Sequence, residues 1–296
     1  MTRTGFIAIV GRPNVGKSTL LNSILGEKVA IVSKKPQTTR NRITGIHTIG
    51  EDQFVFLDTP GVHRPRTKLG NFMVKTAGET LGEADAAILV IEPRDEVGDI
   101  EAGIIERLRA ADIPAILVVN KIDATSKEHI AKTIASYAEA YDFDAVVPMC
   151  AKNGKGVDIL LDECKQYLSE SDFFFPSDAL TDQPERQIAA EIIREKLLRV
   201  LDEEIPHGTA VMIEEFREEE QMVSVRAEIF CEKASHKGII IGKHGATLKT
   251  VGTYAREDME KFFGIKVFLD LWVKVKENWR DSDIAVRNFG YHEENT

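Results

Sequence analysis

The sequence is sparing with the residues that build covalent or metal-bound scaffolds. Its 296 residues include three cysteines, Cys150, Cys164 and Cys231, which are widely spaced and form no C-x-x-C pair. That excludes a disulfide framework, a zinc knuckle and a vicinal redox pair, and it favours a reducing, cytoplasmic setting. The seven histidines form no H-E-x-x-H and do not cluster with cysteine, so no metal site built from protein ligands alone is expected. No apolar run approaches the ~18 residues of a membrane span; the longest, 86–91 and 115–119, are strand-sized. The N-terminus leads directly into a strand pattern, without the charged and apolar regions of a secretory signal. Positive charge is also short: 38 Lys+Arg stand against 48 Asp+Glu, a formal −10. Taken as a total, that argues against a surface coated for phosphate backbones.

What is present is enough apolar sequence, 43% of residues, for two domains with cores of their own. Over the first 170 residues, short Val/Ile/Leu runs (6–10, 54–57, 86–91, 115–119, 145–148) alternate with helical patterns (17–25, 69–82, 99–110, 127–141, 156–168). Near-continuous apolar strands separated by helices predict a mostly parallel sheet covered on both faces, with ligands at the carboxyl ends of its strands. The rhythm breaks over 169–184, where two prolines, several acids and Phe173-Phe174-Phe175 read as a linker docked on a domain. The expected division is 1–170, a linker at 171–184, a second domain at 185–291 and an acidic tail at 292–296.

Three motifs carry the chemistry of the first half. Gly11-Arg12-Pro13-Asn14-Val15-Gly16-Lys17-Ser18, followed by Thr19, lies between a strand and a helix, the context a phosphate loop requires. Glycines let consecutive N–H groups and the helix N-terminus face phosphates; Lys17 reaches the β and γ phosphates and Ser18 ligands Mg²⁺. Asp58-Thr59-Pro60-Gly61 ends a later strand, with Asp58 placed to hold Mg²⁺ through water and Gly61 N–H placed for the γ-phosphate. Asn120-Lys121-Ile122-Asp123 follows another strand. A carboxylate there accepts from both N1–H and the 2-amino group of guanine, which adenine cannot match, so the nucleotide is GTP or GDP. Cys150-Ala151-Lys152 suits the loop that contacts the guanine oxygen. Thr38 and Thr39, in the basic stretch 33–40, are the candidates to close over Mg²⁺ and the γ-phosphate, Thr39 being preferred. Lys17, Thr39 and Gly61 are thus the candidate catalytic set.

Four motifs at the ends of strands 1, 3, 5 and 6 resemble the Ras-like superfamily of P-loop GTPases. Two departures matter: Cys150 replaces the usual Ser, and Val62 stands where a water-orienting Gln is found in Ras. Valine cannot orient water by hydrogen bonding, so slow intrinsic hydrolysis is expected. Asn14 matches the P-loop asparagine of potassium-using relatives, which raises a K⁺ requirement.

The second half reads helix (185–201), strand (209–217), strand (222–231), short helix, Gly turn, helix (246–263), strand (266–275). Ile241-Gly242-Lys243-His244-Gly245 occupies the turn, and this arrangement resembles a type II KH domain. The resemblance implies a G-x-x-G loop clamping the backbone of about four nucleotides of single-stranded RNA. Charge agrees: residues 223–280 carry 11 Lys/Arg, Lys249, Lys274 and Lys276 among them, against 7 acids, a local +4 that leaves −14 for the rest. The alternating strand 271–276 reads equally as a half-buried strand with a solvated basic face or as an RNA contact.

Taken together, the P-loop, Pro36-Gln37-Thr38-Thr39-Arg40, Asp58-Thr-Pro-Gly-Val-His63 and Asp270-Leu-Trp-Val-Lys-Val-Lys276 resemble the Era family of bacterial GTPases over residues 5–291. The resemblance implies a mixed P-loop GTPase sheet flanked by helices plus a smaller α+β KH domain. It also implies a monomeric, GTP-controlled switch that binds the 16S ribosomal RNA 3′ end in small-subunit assembly. Some members are found peripherally at the inner face of the membrane. A GTPase of tRNA modification is the alternative; the Cys-free C-terminus counts against it. A constitutive RNA-binding scaffold with structural nucleotide is another.

Overall fold

A computed structural model describes residues 1–62 and 65–292; His63 and residues 293–296 of the expected acidic tail lie outside the described residues. The chain forms two compact units, one built from residues 1–65 and 70–182 and the other around residues 183–292.

In the first unit, β1 (Arg3–Val10), β3 (Asp52–Asp58), β4 (Ala86–Ile91), β5 (Ala115–Val119) and β6 (Ala145–Pro148) run parallel. An antiparallel edge strand, β2 (Ile43–Ile49), pairs with β3, and the order across the sheet is β2-β3-β1-β4-β5-β6. β4 and β5 are buried at every position, as strands covered on both faces must be. The helices are α1 (Lys17–Leu25), α2 (Lys68–Gly82), α3 (Asp99–Ala111), α4 (Lys127–Ala140) and α5 (Val157–Cys164). β2 breaks the apolar pattern with Thr44, Gly45, His47 and Thr48, which is why no run marks it in the sequence.

The segment after α5 lies along this unit. Its two-residue β7 (Ser169–Glu170) pairs antiparallel with β1. The Phe174 ring stacks on Phe6 at 5.4 Å between centroids. Fully buried Gln53 accepts from Phe174 N (3.0 Å) and Phe175 N (3.1 Å) and donates to the Phe175 carbonyl (2.9 Å). Further on, Ile46 N donates to the Leu180 carbonyl and the Thr181 hydroxyl to the Thr44 carbonyl.

The second unit is a three-stranded sheet in the order β10-β9-β8. β8 (Ala210–Glu219) and β9 (Met222–Cys231) form an antiparallel hairpin, and β10 (Lys266–Val275) runs parallel to β9. Helices α6 (Glu185–Val200), α7 (Ala234–Ile241) and α8 (Ala246–Phe263) pack on one face, burying Ile193, Leu197, Val251, Met259, Val225 and Val273 among others. A short helix, α9 (Asp283–Asn288), was not evident in the sequence. Around it Trp279, fully buried, donates to the Gly208 carbonyl (2.9 Å) and packs edge-on to Phe289, which in turn meets Phe230.

Gln53→Ala strands three backbone groups of the 173–175 segment, each net bond contributing about 1 kcal/mol. The first unit is therefore expected to lose about 1–3 kcal/mol of stability in urea denaturation, with faster proteolysis inside 171–182; Gln53→Glu retains the two accepted bonds but sets a buried carboxylate oxygen against the Phe175 carbonyl, and is expected to lose at least as much.

Candidate functional site

Because β1, β4, β5 and β6 are neighbours in the sheet, the loops at their carboxyl ends converge on one edge. The organising residue there is Asn120, directly after β5 and 3% exposed. Its Nδ2 donates to the Val15 carbonyl (2.8 Å) and its Oδ1 accepts from Ala151 N (2.9 Å). One amide thus joins the loop after β1 to the loop after β6. Gly16 sits against it with φ +104°, and a Cβ there would lie 2.3 Å from Asn120 Nδ2. Gly16 also caps α1 without any side-chain bond, which leaves the helix N–H groups facing the cleft.

That cleft, about 380 Å³, is lined by Pro13, Asn14, Lys17, Ser18, Thr19, Thr38, Thr39, Gly61 and Lys121, together with Ile31 and Val32. The last two precede the expected switch stretch and carried no signal in the sequence. Lys17 is buried, and its ammonium donates to the carbonyls of Gly11 and Arg12, both at 3.1 Å. Desolvation lowers its pKa to about 8, against the pull of Asp58. Asp58, also fully buried, is pushed up to about 6 by desolvation, opposed by Lys17 and by bonds from Ser18 and Thr39. Thr59 anchors its own strand end, donating to the Ile9 carbonyl (2.9 Å), and Pro60 is buried beside it. Val62 N donates to the Gly11 carbonyl (3.2 Å), tying the end of the Asp58–Gly61 turn to the phosphate loop.

Three oxygens gather at the N-terminus of α1. Ser18 Oγ donates to Asp58 Oδ2 (2.6 Å) and lies 2.9 Å from Thr39 Oγ1. Thr38 points elsewhere, its hydroxyl donating to the Lys35 carbonyl (2.7 Å). Asp58 Oδ1 is buried without a hydrogen-bond partner. An orphaned carboxylate oxygen beside two hydroxyls is a donor set of the hard kind that suits Mg²⁺. No group of three or more His, Cys, Asp or Glu able to hold a metal occurs among the described residues.

At the other end of the cleft, Lys121 adopts φ +61° and donates to the Asn14 carbonyl (2.7 Å). Asp123 is solvent-facing; a bond from Cys150 first, then the nearby Lys152 and Lys121, hold its carboxyl below the usual range. Ala151 is buried and Lys152 exposed. Two acids unmarked by any motif enter as well: Glu92, which pairs with Arg12 and Lys121, and buried Glu101, which pairs with Arg12 and Arg94. The available signal for Glu92 was its position, a charged residue immediately after a buried strand at the ligand edge of the sheet.

In the second unit, α7 ends at Gly242, whose φ is +74° and whose Cβ position would fall 2.2 Å from Thr247 Oγ1. Lys243 and His244 are exposed, between half-buried Ile241 and Gly245, and α8 starts at Ala246 with no side-chain cap. The basic residues divide in two. Lys274 pairs with Glu228, and Arg226 with Asp270 (3.4 Å) and Glu215 (3.6 Å), so the open sheet face is internally neutralised. Lys243, Lys249 and Lys276 make no ion pair among the described residues. Along the alternating strand 271–276, Val273 is buried whereas Val275, at the end of β10, is 37% exposed.

Comparison with known proteins agrees with this arrangement. Residues 6–121 match the family described as 50S ribosome-binding GTPase, and residues 204–280 match the KH domain. GTPase Era of Ruminiclostridium cellulolyticum is 48% identical over 290 residues, covering 98% of this chain and 97% of its own. GTPase Era of Clostridium kluyveri is 50% identical over 292 residues, covering 98% and 100%. The chain belongs to the Era family of GTPases. Two solved Era structures, each 39% identical with TM-score 0.94, cover 98% of this chain and 99% of theirs. One is a variant from Aquifex aeolicus bound to GDP·AlF4⁻, the other a complex with MgGDPNP and nucleotides 1506–1542 of 16S ribosomal RNA. As an Era-family member the chain is a GTPase that uses GTP, GDP and Mg²⁺.

Gly16→Ala places a side chain in a left-handed conformation costing about 1–2 kcal/mol and displaces Asn120. Affinity for GDP is expected to fall ~100-fold in a fluorescent-GDP titration, each 1.4 kcal/mol being tenfold, and Asn120→Ala is expected to lose a comparable amount.

Proposed function

We propose that the chain is a GTP-controlled switch that binds single-stranded RNA near the 16S ribosomal RNA 3′ end during small-subunit assembly. The observation that carries this reading is the cluster of Ser18, Thr39 and Asp58 oxygens at the bare N-terminus of α1, on the same cleft as Lys121. A relative of matching architecture bound to MgGDPNP and 16S ribosomal RNA supports the substrate. The working division is a GTPase domain at 1–170, a linker at 171–184, a KH-type domain at 185–291 and a tail at 292–296.

In this reading the backbone from Gly11 to Thr19 cradles the phosphates. Lys17 turns from its loop carbonyls to the β and γ phosphates, which supply the countercharge its burial denies it. Ser18, Thr39 and Asp58 hold Mg²⁺, whose charge offsets that of the phosphates when bound. Gly61 N–H meets the γ-phosphate. Asp123 reads the guanine edge, while Lys121 and the Cys150–Lys152 loop enclose the base. Val62 offers the attacking water no hydrogen bond, so backbone, a monovalent cation or a partner aligns it. The γ-phosphate orders the stretch holding Thr39 and the one following Asp58, and this ordering alters RNA binding by the KH loop. Gly242 to Gly245 clamp the RNA backbone, with Lys243 and Lys249 as uncompensated charges and Lys276 extending the patch. The chain works as a monomer in the cytoplasm and reaches the inner membrane face peripherally. No described helix is long and apolar enough to cross a membrane.

Full-length protein titrated with a single-stranded 16S 3′-end fragment is expected to bind ~10-fold more tightly with a GTP analogue than with GDP. Gly242→Asp abolishes the binding; equal affinity in the two nucleotide states removes the coupling.

Intrinsic turnover is expected on the order of 10⁻³ s⁻¹, and higher in KCl than in NaCl. Equal rates in the two salts remove the role of Asn14 in K⁺ use, and turnover of about ten per second or more contradicts the reading of Val62.

A further inference from the structure

Sheet order places β4 between β1 and β5, so the first residue after β4 lies between the phosphate loop and the base-reading loop. That residue is Glu92, and its two carboxylate oxygens are divided between those loops. Oε2 accepts from Arg12 Nη2 at 2.6 Å, and Oε1 accepts from Lys121 Nζ. Lys121 Nζ also donates to the Asn14 carbonyl at 2.7 Å. Behind Arg12 the alternation continues: its Nε lies 3.1 Å from Glu101 Oε1, and Arg94 Nη1 lies 3.3 Å from the same oxygen. Glu101 is 1% exposed, so the far end of this chain of charges is anchored in the protein interior.

Arg12 and Lys121 are like charges drawn toward one loop, and Glu92 is the carboxylate that bridges them. With Glu92 neutral or shortened, Lys121 keeps the Asn14 carbonyl but loses its charged partner, and its flexible stem regains rotamer freedom. We propose that Glu92 is a positioning residue for nucleotide recognition, clamping the lysine beside the base to the arginine of the phosphate loop. This rests on the GTP-binding reading and deepens it. Such a clamp sets both loops in their binding geometry before the ligand arrives, and its contribution is therefore to affinity. Because the lysine it holds belongs to the base-reading loop, the clamp serves substrate and transition state alike, so its loss raises KM and leaves kcat unchanged.

The test uses full-length protein, fluorescent GDP for affinity and steady-state GTP hydrolysis for KM and kcat. Parent protein that binds GDP and not ADP upholds the underlying reading; parent protein that binds neither overturns that reading itself. Glu92→Ala is expected to weaken GDP ~10-fold or more, mainly through faster release, with kcat at saturating GTP within about twofold of parent. Glu92→Gln keeps the shape and loses the charge, folds if Glu92→Ala does not, and falls between the two. Arg12→Ala combined with Glu92→Ala is expected to cost less than the two single losses together, since either change opens the same clamp. If both Glu92 variants bind GDP within about twofold of a GDP-binding parent, or lower kcat with KM unchanged, the inference is overturned.

Discussion

The buried side chain of Asn120 holds the nucleotide site in one piece. Its amide offers one donor to the loop after β1 and one acceptor to the loop after β6, and both are used. Two loops with no covalent connection nearby are thereby fixed to a third. The requirement propagates outward. Gly16 must lack a side chain because Asn120 occupies the space, and α1 must then begin without a side-chain cap. An uncapped helix start is also what leaves donors free for an anion.

In the proposed reading, the two units meet phosphate groups by opposite physical means. In the first, the charges are buried: Lys17 is held well below its usual pKa and Asp58 well above, each by desolvation and each relieved in part by the other. Such groups are poised to gain from a charged ligand, because the ligand and its metal supply the compensation that water no longer gives. In the second unit the useful charges are exposed, and the specific feature is a backbone turn that excludes a Cβ at Gly242. There the chain can approach a nucleic-acid backbone closely at low desolvation cost.

Legibility followed locality. The residues from Gly11 to Ser18 form a contiguous segment whose spacing alone specifies strand, loop and helix, and the KH order of helices and strands was equally plain. β2 was obscured because an edge strand tolerates Thr, Gly and His, and α9 because it is held by Trp279 and Phe289 rather than by its own periodicity. Thr38 and Thr39 were inseparable by type; the backbone turn directs one hydroxyl to Lys35 and the other to Ser18. Lys274 looked like Lys276 until the register of β10 against β9 put Glu228 within its reach.

By itself, the sequence determined the fold class, the nucleotide class and the two-unit organisation, because hydrophobic period, glycine spacing and the order of motifs are properties of the chain. Tertiary structure decided which atoms share a charge: Glu92 between Arg12 and Lys121, and the neutralised face of the KH sheet. Those pairings join residues from 11 to 80 positions apart, and electrostatic interaction depends on distance in space, which only sheet order and register supply.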